Sequence, residues 1–236
     1  MAGSMTEAMA RANAEAAGPP WIEPADRRVG ILGGTFDPIH YAHLAIGEEV
    51  REALSLDRVL FVPAGVPPHK SVAVVAPAAD RAAMVELAIA DNPAFAVCRI
   101  ELERPGPSYT IDTLDLLASE AAAQGGGRDL LFILSAEALA GMPTWHDWRR
   151  ILTLCRLAIV PRLGESVPTG AWLEANIPGC RDRFVFVESV PLAHSSSDVR
   201  RRVAAGGSIR YLVPPAVEAY VHDHRLYRSV PEDQRK

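Results

Sequence analysis

Short apolar runs alternate along this chain with segments whose apolar positions recur every three or four residues. Six runs predict strands: RRVGIL, DRVLFVPA, FAVCRIEL, DLLFIL, LAIVP and FVFVESV. Helical periodicity covers Tyr41 to Leu54, about Pro77 to Asp91, and SYTIDTLDLLASEAAA. The end of the chain predicts a helix, a Gly-rich turn and a further helix that starts near a Pro-Pro pair. Near-continuous apolar strands separated by helices are typical of a parallel sheet covered on both faces, so we predict an α/β fold with a doubly wound parallel sheet.

The length and composition fit one soluble domain. The 236 residues are 49% hydrophobic, and no apolar run approaches the eighteen or so residues of a membrane span. We expect a disordered tail at residues 1–27, which lack the features of a signal peptide, a single domain at 28–228 and a second tail at 229–236. Three cysteines, Cys98, Cys155 and Cys180, are odd in number and lack metal-ligand spacing. They predict reduced thiols, a cytoplasmic location and no zinc site.

The charge balance limits the partners. A net charge of −5 with no basic stripe argues against nucleic-acid binding, so any anionic ligand must be met by a local cluster of groups. Of the 24 basic residues, all but Lys70 and Lys236 are arginine. A site that requires a compact point charge would explain Lys70, although composition alone favours chance.

The stretch GGTFDPIHYAHL follows the first predicted strand. Ligands of open α/β sheets bind at the carboxyl ends of strands, where Gly33 and Gly34 would let a ligand approach the backbone. The spacing is neither G-x-G-x-x-G nor a Walker A loop, which weighs against a redox dehydrogenase. His40 and His43 stand three residues apart at the predicted start of a helix, so both imidazoles share one face beside a helix N-terminus that attracts anions. The pair therefore predicts a phosphate site.

The same stretch resembles the H-x-G-H signature of nucleotidyltransferases, in the form found in bacterial nicotinate mononucleotide adenylyltransferases. Further segments resemble that family in order, from Val29 to about Tyr227: VPAGVPPHK, SYTIDTL, LLFILSAEALAGMPTWHDW, HSSSDVR and YLVPPAVEAYVHDHRLY. The resemblance implies a Rossmann-like nucleotidyltransferase fold with C-terminal helices, and transfer of AMP from ATP to nicotinate mononucleotide with release of pyrophosphate. The attacking phosphate oxygen is already ionised, so catalysis would need positioning and charge neutralisation rather than a general base.

The resemblance also implies roles for individual residues. Catalysis falls to His40, His43, Lys70 and Arg200. ATP binding falls to Gly33, Gly34, Thr35, Phe36, Ser135, Glu137, Ser195, Ser196 and Ser197. Ordinary helix capping is the competing explanation of the three serines. The nicotinate ribotide would bind Tyr109, Thr110 and Trp145. Mg²⁺ is the expected cofactor, held mainly by phosphates and waters rather than by a dedicated metal site. ATP and nicotinate mononucleotide are the expected partners, without nucleic acid or membrane, and a homo-oligomer is compatible with the sequence.

Four positions depart from the family pattern. Ala42 replaces the glycine of H-x-G-H, which fits if its φ is negative, and His194 replaces an apolar residue. Ser135 and Glu137 stand where the family usually reads G-x-D, and the longer Glu137 can still accept from a ribose hydroxyl. These departures keep open a catalytically weak nucleotide-binding protein of the same fold. Nicotinamide mononucleotide and phosphopantetheine remain alternative acceptors, although PPHK, SYTIDTL and the segment around Trp145 favour a pyridine ribotide.

Overall fold

A parallel sheet of six strands forms the centre of the computed structural model, which describes residues 21–67, 74–161, 168–188 and 192–228. The strands are β1 (Arg28–Gly34), β2 (Arg58–Pro63), β3 (Phe95–Val97), β4 (Asp129–Ser135), β5 (Arg156–Val160) and β6 (Phe184–Phe186). Their order across the sheet is β3-β2-β1-β4-β5-β6. Because the order reverses direction at β1 and β4, the carboxyl ends of these two strands form the crevice where such sheets bind ligands. The predicted doubly wound α/β fold is confirmed.

Helices cover both faces of this sheet. They are α1 (Tyr41–Leu54), α2 (Ala78–Ile89), α3 (Ile100–Glu103), α4 (Thr110–Ala123), α5 (Ala136–Gly141), α6 (Trp148–Leu154), α7 (Gly170–Asn176), α8 (Ser196–Ala204) and α9 (Pro215–Asp223). Helix α4 packs beside α6 on one face, and α9 packs beside α2 on the other. No helix in the described part of the chain is long and apolar enough to cross a membrane.

Alternating side chains of the strands build two separate hydrophobic cores. In β4, Phe132 and Leu134 pack into the core under α4, whereas Leu131 and Ile133 pack into the core under α1, α8 and α9. Successive residues of a strand point to opposite faces, so a strand buried on both faces is apolar at every position. This is why the sequence shows unbroken apolar runs rather than alternation.

The third predicted strand is too long. FAVCRIEL forms β3 only over Phe95–Val97, and Ile100–Glu103 is a short helix. The edge strand β3 pairs with β2 alone, and the backbone N–H of Cys98 makes the last bond, to Phe61. Beyond it no further strand holds the chain extended, and the Leu and Glu residues that follow are good helix formers. Helices α5, α6 and α7 lie in segments for which periodicity predicted no helix.

The packed part of the chain extends into the predicted N-terminal tail. Ile22 is fully buried in one core, and its backbone N–H donates to Glu120 Oε1 at 3.2 Å. Asp26 is buried and accepts from Arg58 Nε at 2.8 Å, which ties the segment to β2. The rest of the predicted tails, residues 1–20 and 229–236, lies outside the described residues.

Candidate active site

A cavity of about 890 Å³ opens at the carboxyl ends of β1, β2, β4 and β5. It collects most of the predicted site residues. The lining includes Gly33, Gly34, Thr35, Phe36, His40, His43, Tyr109, Thr110, Ser135, Trp145, Ser195, Ser196, Ser197 and Arg200. Glu137 is exposed and is not among the lining residues. Lys70 lies outside the described residues, so its predicted role stays a prediction.

The N-terminus of α1 carries the two signature histidines. His40 is the N-cap residue, 4% exposed, and its ring stacks on that of His43 with 3.8 Å between the centroids. The backbone N–H of His40 donates to His43 Nδ1 at 3.3 Å, which places the proton of neutral His43 on Nε2. The rings of Phe36 and His43 meet edge to face, with 5.0 Å between their centroids. Both imidazoles are thus oriented by the fold at the positive end of a helix of 14 residues.

A second helix N-terminus, that of α8, meets the same cavity. Ser195 caps the helix, because its Oγ accepts from the backbone N–H of Asp198 at 3.1 Å. Ser196 Oγ donates to the carbonyl of Pro38 at 2.9 Å, and Ser197 Oγ accepts from Arg200 at 3.2 Å. The capping interpretation of the serines is therefore right for Ser195, and all three residues still line the cavity. We call His40, His43, Ser195, Ser196, Ser197 and Arg200 the helix-end wall.

Aromatic side chains line another part of the cavity, which we call the aromatic wall: Tyr109, Trp145 and His146. The rings of Tyr109 and His146 lie 4.8 Å apart, and Trp145 meets Phe132 edge to face at 6.3 Å. Trp145 is partly buried, packs against the hydrophobic core and also lines the cavity. His146 follows Trp145 directly in the chain and was not predicted as a site residue.

A buried carboxyl group stands behind the aromatic wall. Glu101 is 9% exposed, lines the cavity and accepts from Thr113 Oγ1 at 2.7 Å. Burial raises the pKa of Glu101, while hydrogen bonds from Thr113 and Ser108 counteract part of that rise. Ser108 Oγ in turn accepts from the backbone N–H groups of Gly65 and Val66, at 2.9 and 3.2 Å. Glu101 therefore helps to connect the start of α4 with the loop after β2.

A fully buried arginine joins the loops around the cavity. Arg81, 1% exposed, donates to the carbonyl of Thr35 at 2.6 Å and to that of Ala64 at 2.6 Å. Longer bonds of 3.3 Å reach the carbonyls of Gly65 and Ala76. Burial lowers the pKa of Arg81, and its side chain holds the loops after β1 and β2 in one arrangement. Its fork of donors suits it to this task, which a single ammonium group could not perform.

The positions that depart from the family pattern are accommodated differently. Ala42 lies inside α1 at negative φ and is buried, so its methyl group fits the fold. Ser135 is the N-cap of α5 and accepts from the backbone N–H of Ala138 at 3.2 Å. His194 lines the cavity, and its Nδ1 is buried without a hydrogen-bond partner among the described residues. It adds a fourth imidazole to the lining, after His40, His43 and His146, at a position where the family pattern has an apolar side chain.

The charges of the cavity are few. Within the described ranges, Arg200 is the only arginine or lysine that lines the cavity, and the acidic side chains of the lining are Asp37 and Glu101. No group of three or more His, Cys, Asp or Glu side chains in that part of the chain could hold a metal ion. Hard divalent cations prefer oxygen ligands and are commonly held by substrate phosphates with one or two carboxylates. The carboxylates and hydroxyl groups of the lining are oxygen donors of the kind that such an ion accepts beside a polyphosphate.

Comparisons with known proteins agree with this geometry. The sequence profile described as cytidylyltransferase-like matches residues 31–202. The chain is 52% identical over 200 residues to a probable nicotinate-nucleotide adenylyltransferase of Roseiflexus sp. (strain RS-1), covering 85% of this chain and 98% of that protein. It is 45% identical to a protein of the same name from Thermomicrobium roseum, covering 86% and 92%. The fold matches the Plasmodium falciparum nicotinic acid mononucleotide adenylyltransferase complexed with NaAD, with a TM-score of 0.67 at 17% identity, covering 85% and 97%.

Proposed function

The chain belongs to the cytidylyltransferase-like family, and within it to the nicotinate-nucleotide adenylyltransferases; we propose that it transfers the adenylyl group of ATP to nicotinate mononucleotide. The products are nicotinate adenine dinucleotide and pyrophosphate, so the reaction serves NAD biosynthesis. This function fits a cytoplasmic enzyme with a single catalytic domain at about residues 28–228, against which Ile22 and Asp26 of the preceding segment also pack.

One observation carries the proposal: a single cavity is lined by both the helix-end wall and the aromatic wall. Two helix N-termini, two stacked imidazoles and a guanidinium suit the phosphates of ATP. Tyr109 and Trp145 supply ring faces for a pyridine, and Thr110 stands beside them with a hydroxyl for its carboxylate. Adenylyl transfer requires that both substrates meet at one phosphorus atom, and a shared cavity supports this.

The chemistry asks for positioning rather than proton transfer. An ionised phosphate oxygen of the acceptor attacks the α-phosphorus of ATP, a new P–O bond forms, and the bond to the bridging oxygen of pyrophosphate breaks. Electrons move to the leaving pyrophosphate, and no proton has to be removed from the nucleophile. We assign His43 Nε2 and His40 to the phosphate oxygens on which charge develops, where one oriented donor is worth roughly 3–4 kcal/mol. Arg200 binds the same polyphosphate, and Lys70 is assigned a further phosphate contact.

Nucleotidyltransferases of this family typically use a divalent metal ion, and we assign Mg²⁺ here. When bound with ATP, the ion neutralises charge on the phosphates. The residues that would approach it are on the helix-end wall, where hydroxyl groups rather than carboxylates predominate. Their part is to hold the polyphosphate in line with the acceptor and to exclude water from the cavity.

The test is pyrophosphate release from ATP and Mg²⁺ with nicotinate mononucleotide, nicotinamide mononucleotide or phosphopantetheine, with the product identified by mass. We expect turnover with nicotinate mononucleotide and a much lower kcat/KM with the amide. A preference for the amide or for phosphopantetheine would replace the proposed acceptor. Binding of ATP without turnover of any acceptor would favour the catalytically weak nucleotide-binding protein instead.

A further inference from the structure

The carboxylate of Asp37 connects its own loop after β1 with three other segments of the chain: the one before α2, helix α8 and the one after α9. Asp37 is 2% exposed, and its Oδ1 accepts from the Tyr227 hydroxyl at 2.8 Å and from the backbone N–H of Ala76 at 3.1 Å. Its Oδ2 accepts from the backbone N–H of Val75 at 2.8 Å and lies 3.7 Å from Arg200 Nη1. A buried carboxylate with this many donors is fixed in position, because moving it would break several bonds together.

Arg200 is held by the same residue through a second contact. Its Nη1 donates to the backbone carbonyl of Asp37 at 2.7 Å, and its Nη2 donates to Ser197 Oγ at 3.2 Å. These two bonds use two of the five N–H groups of the guanidinium and fix the orientation of its plane. The other N–H groups take part in neither bond. Because Arg200 also lines the cavity, the contacts with Asp37 determine the direction from which it can approach a phosphate.

Tyr227 comes from the far end of the chain, 190 residues after Asp37. Its side chain is 8% exposed and packs in the core beside α9. Its φ of +63° is unusual for a residue with a side chain, and Arg225, two residues earlier, has a φ of +53°. Such backbone persists only where surrounding contacts fix it. Burial and the charge of Asp37 raise the pKa of Tyr227, so its hydroxyl keeps its proton and donates throughout the pH range of an enzyme assay.

We propose that Asp37 and Tyr227 are positioning residues for Arg200, so that the C-terminal segment after α9 sets the geometry of the phosphate site. This inference rests on the proposed function, since it assigns Arg200 to the ATP phosphates. The Tyr227 hydroxyl donates to one carboxylate oxygen of Asp37. The other carboxylate oxygen and the backbone carbonyl of Asp37 contact Arg200, which lines the cavity. Loss of the hydroxyl removes one of the donors that hold the Asp37 carboxylate, which then shifts against its remaining bonds to Val75 and Ala76, and the guanidinium shifts with it.

The test variant is Tyr227→Phe, which keeps the buried ring and removes only the hydroxyl. Tyr220→Phe is the matched control, because the Tyr220 hydroxyl also donates to a carboxylate, Asp80 Oδ1, at 2.9 Å, but does so outside the cavity lining. We expect kcat/KM for ATP to fall about tenfold in Tyr227→Phe, the scale of one lost hydrogen bond to a charged group. KM for nicotinate mononucleotide should stay within about twofold, because Asp37 binds Arg200 of the helix-end wall, whereas this substrate is assigned to the aromatic wall. The control should keep the wild-type kcat/KM for ATP.

A double variant separates positioning from a general loss of structure. If Tyr227 acts through Arg200, adding Tyr227→Phe to Arg200→Ala should produce little further loss, because the group that it positions is already absent. The proposal is overturned if the tenfold loss recurs in the Arg200→Ala background. It is also overturned if Tyr227→Phe retains the wild-type kcat/KM for ATP, or if Tyr220→Phe loses as much as Tyr227→Phe.

A binding measurement keeps this inference distinct from the proposed function. The Kd of an ATP analogue with a non-cleavable α,β-bridge can be measured by calorimetry without any acceptor. We expect Tyr227→Phe to raise this Kd several-fold and Tyr220→Phe to leave it unchanged. If the wild-type protein bound the analogue but turned over no acceptor, the proposed function would fail while the comparison of the two Kd values still decided the role of Tyr227.

Discussion

Arg81 offers the sharpest test of how the loops around the cavity are held. Arg81→Met keeps an unbranched apolar side chain of similar length and removes every donor. Four backbone carbonyls lose their partner, two of them in bonds of 2.6 Å, to Thr35 and Ala64. Both carbonyls lie in loops at the rim of the cavity, so the variant should weaken the fold and the nucleotide site together.

The size of the effect follows from two opposing terms. Hydrogen bonds to a charged group are worth about 1.5–3 kcal/mol each, so the two short bonds alone amount to about 3–6 kcal/mol. Burial of the charged guanidinium has a desolvation cost, which also lowers the pKa of Arg81. Arg81→Met removes this cost, and the gain offsets part of the free energy lost with the hydrogen bonds. We therefore expect the free energy of unfolding to fall by about 3 kcal/mol.

Urea denaturation at neutral pH measures this change by linear extrapolation. Arg99→Met is the matched control, because Arg99 pairs with Glu86 while both side chains are almost half exposed, and such pairs contribute about 0–1 kcal/mol. The Kd of a non-cleavable ATP analogue should rise for Arg81→Met and not for the control. A loss of stability no larger than that of Arg99→Met would refute the reasoning that Arg81 clamps these loops.

Three further predictions concern single groups. His43→Ala should lower kcat about 100- to 1000-fold, as expected for the loss of a transition-state donor, with far-ultraviolet circular dichroism unchanged; turnover near the wild-type level would contradict its role. The raised pKa of Glu101 means that its stabilisation of the fold is complete at low pH and is lost as pH rises through the folded pKa. The wild-type unfolding free energy minus that of Glu101→Gln should therefore decline as pH rises above the ordinary pKa range of a glutamate, and a rise would contradict this sign. Burial raises the pKa of Cys98 and Cys155 to about 12, so a thiol reagent should modify Cys180 alone in the native protein and all three thiols in urea.

Strands and signature motifs were predictable because each is encoded locally. A strand buried on both faces is apolar at every position, and β4 shows this directly in the run DLLFIL. The pair His40 and His43 could be placed on one face of α1 because residues three positions apart are neighbours on a helix. It could be placed at the N-terminus of α1 because a predicted strand comes shortly before it. The third strand failed for the opposite reason: where β3 leaves the sheet depends on which neighbour pairs with it, and a single segment does not contain that information.

Asp37, Arg81 and Tyr227 could not be identified from the sequence, since their partners are distant in the chain. Arg81 meets Thr35 across 46 residues and Asp37 meets Tyr227 across 190. Read locally, Asp37 is a turn residue before proline, and Tyr227 is the last aromatic position of a helical segment. One signal was available for Arg81: an arginine on the apolar face of a predicted helix needs buried acceptors.

An acidic protein can still bind a polyphosphate here because the favourable field comes from the backbone. The helix-end wall places the N-termini of α1 and α8 at one cavity, and each carries about half a positive charge on oriented N–H groups. Asp37, a carboxylate that faces Arg200, has its oxygens occupied by Tyr227, Val75 and Ala76, so its lone pairs are directed to those donors. The carboxylate that would repel phosphate thus serves to orient Arg200, which attracts it. Net charge is a poor guide to this ligand because local groups decide its binding: two helix dipoles, the paired imidazoles of His40 and His43, and cationic side chains such as Arg200.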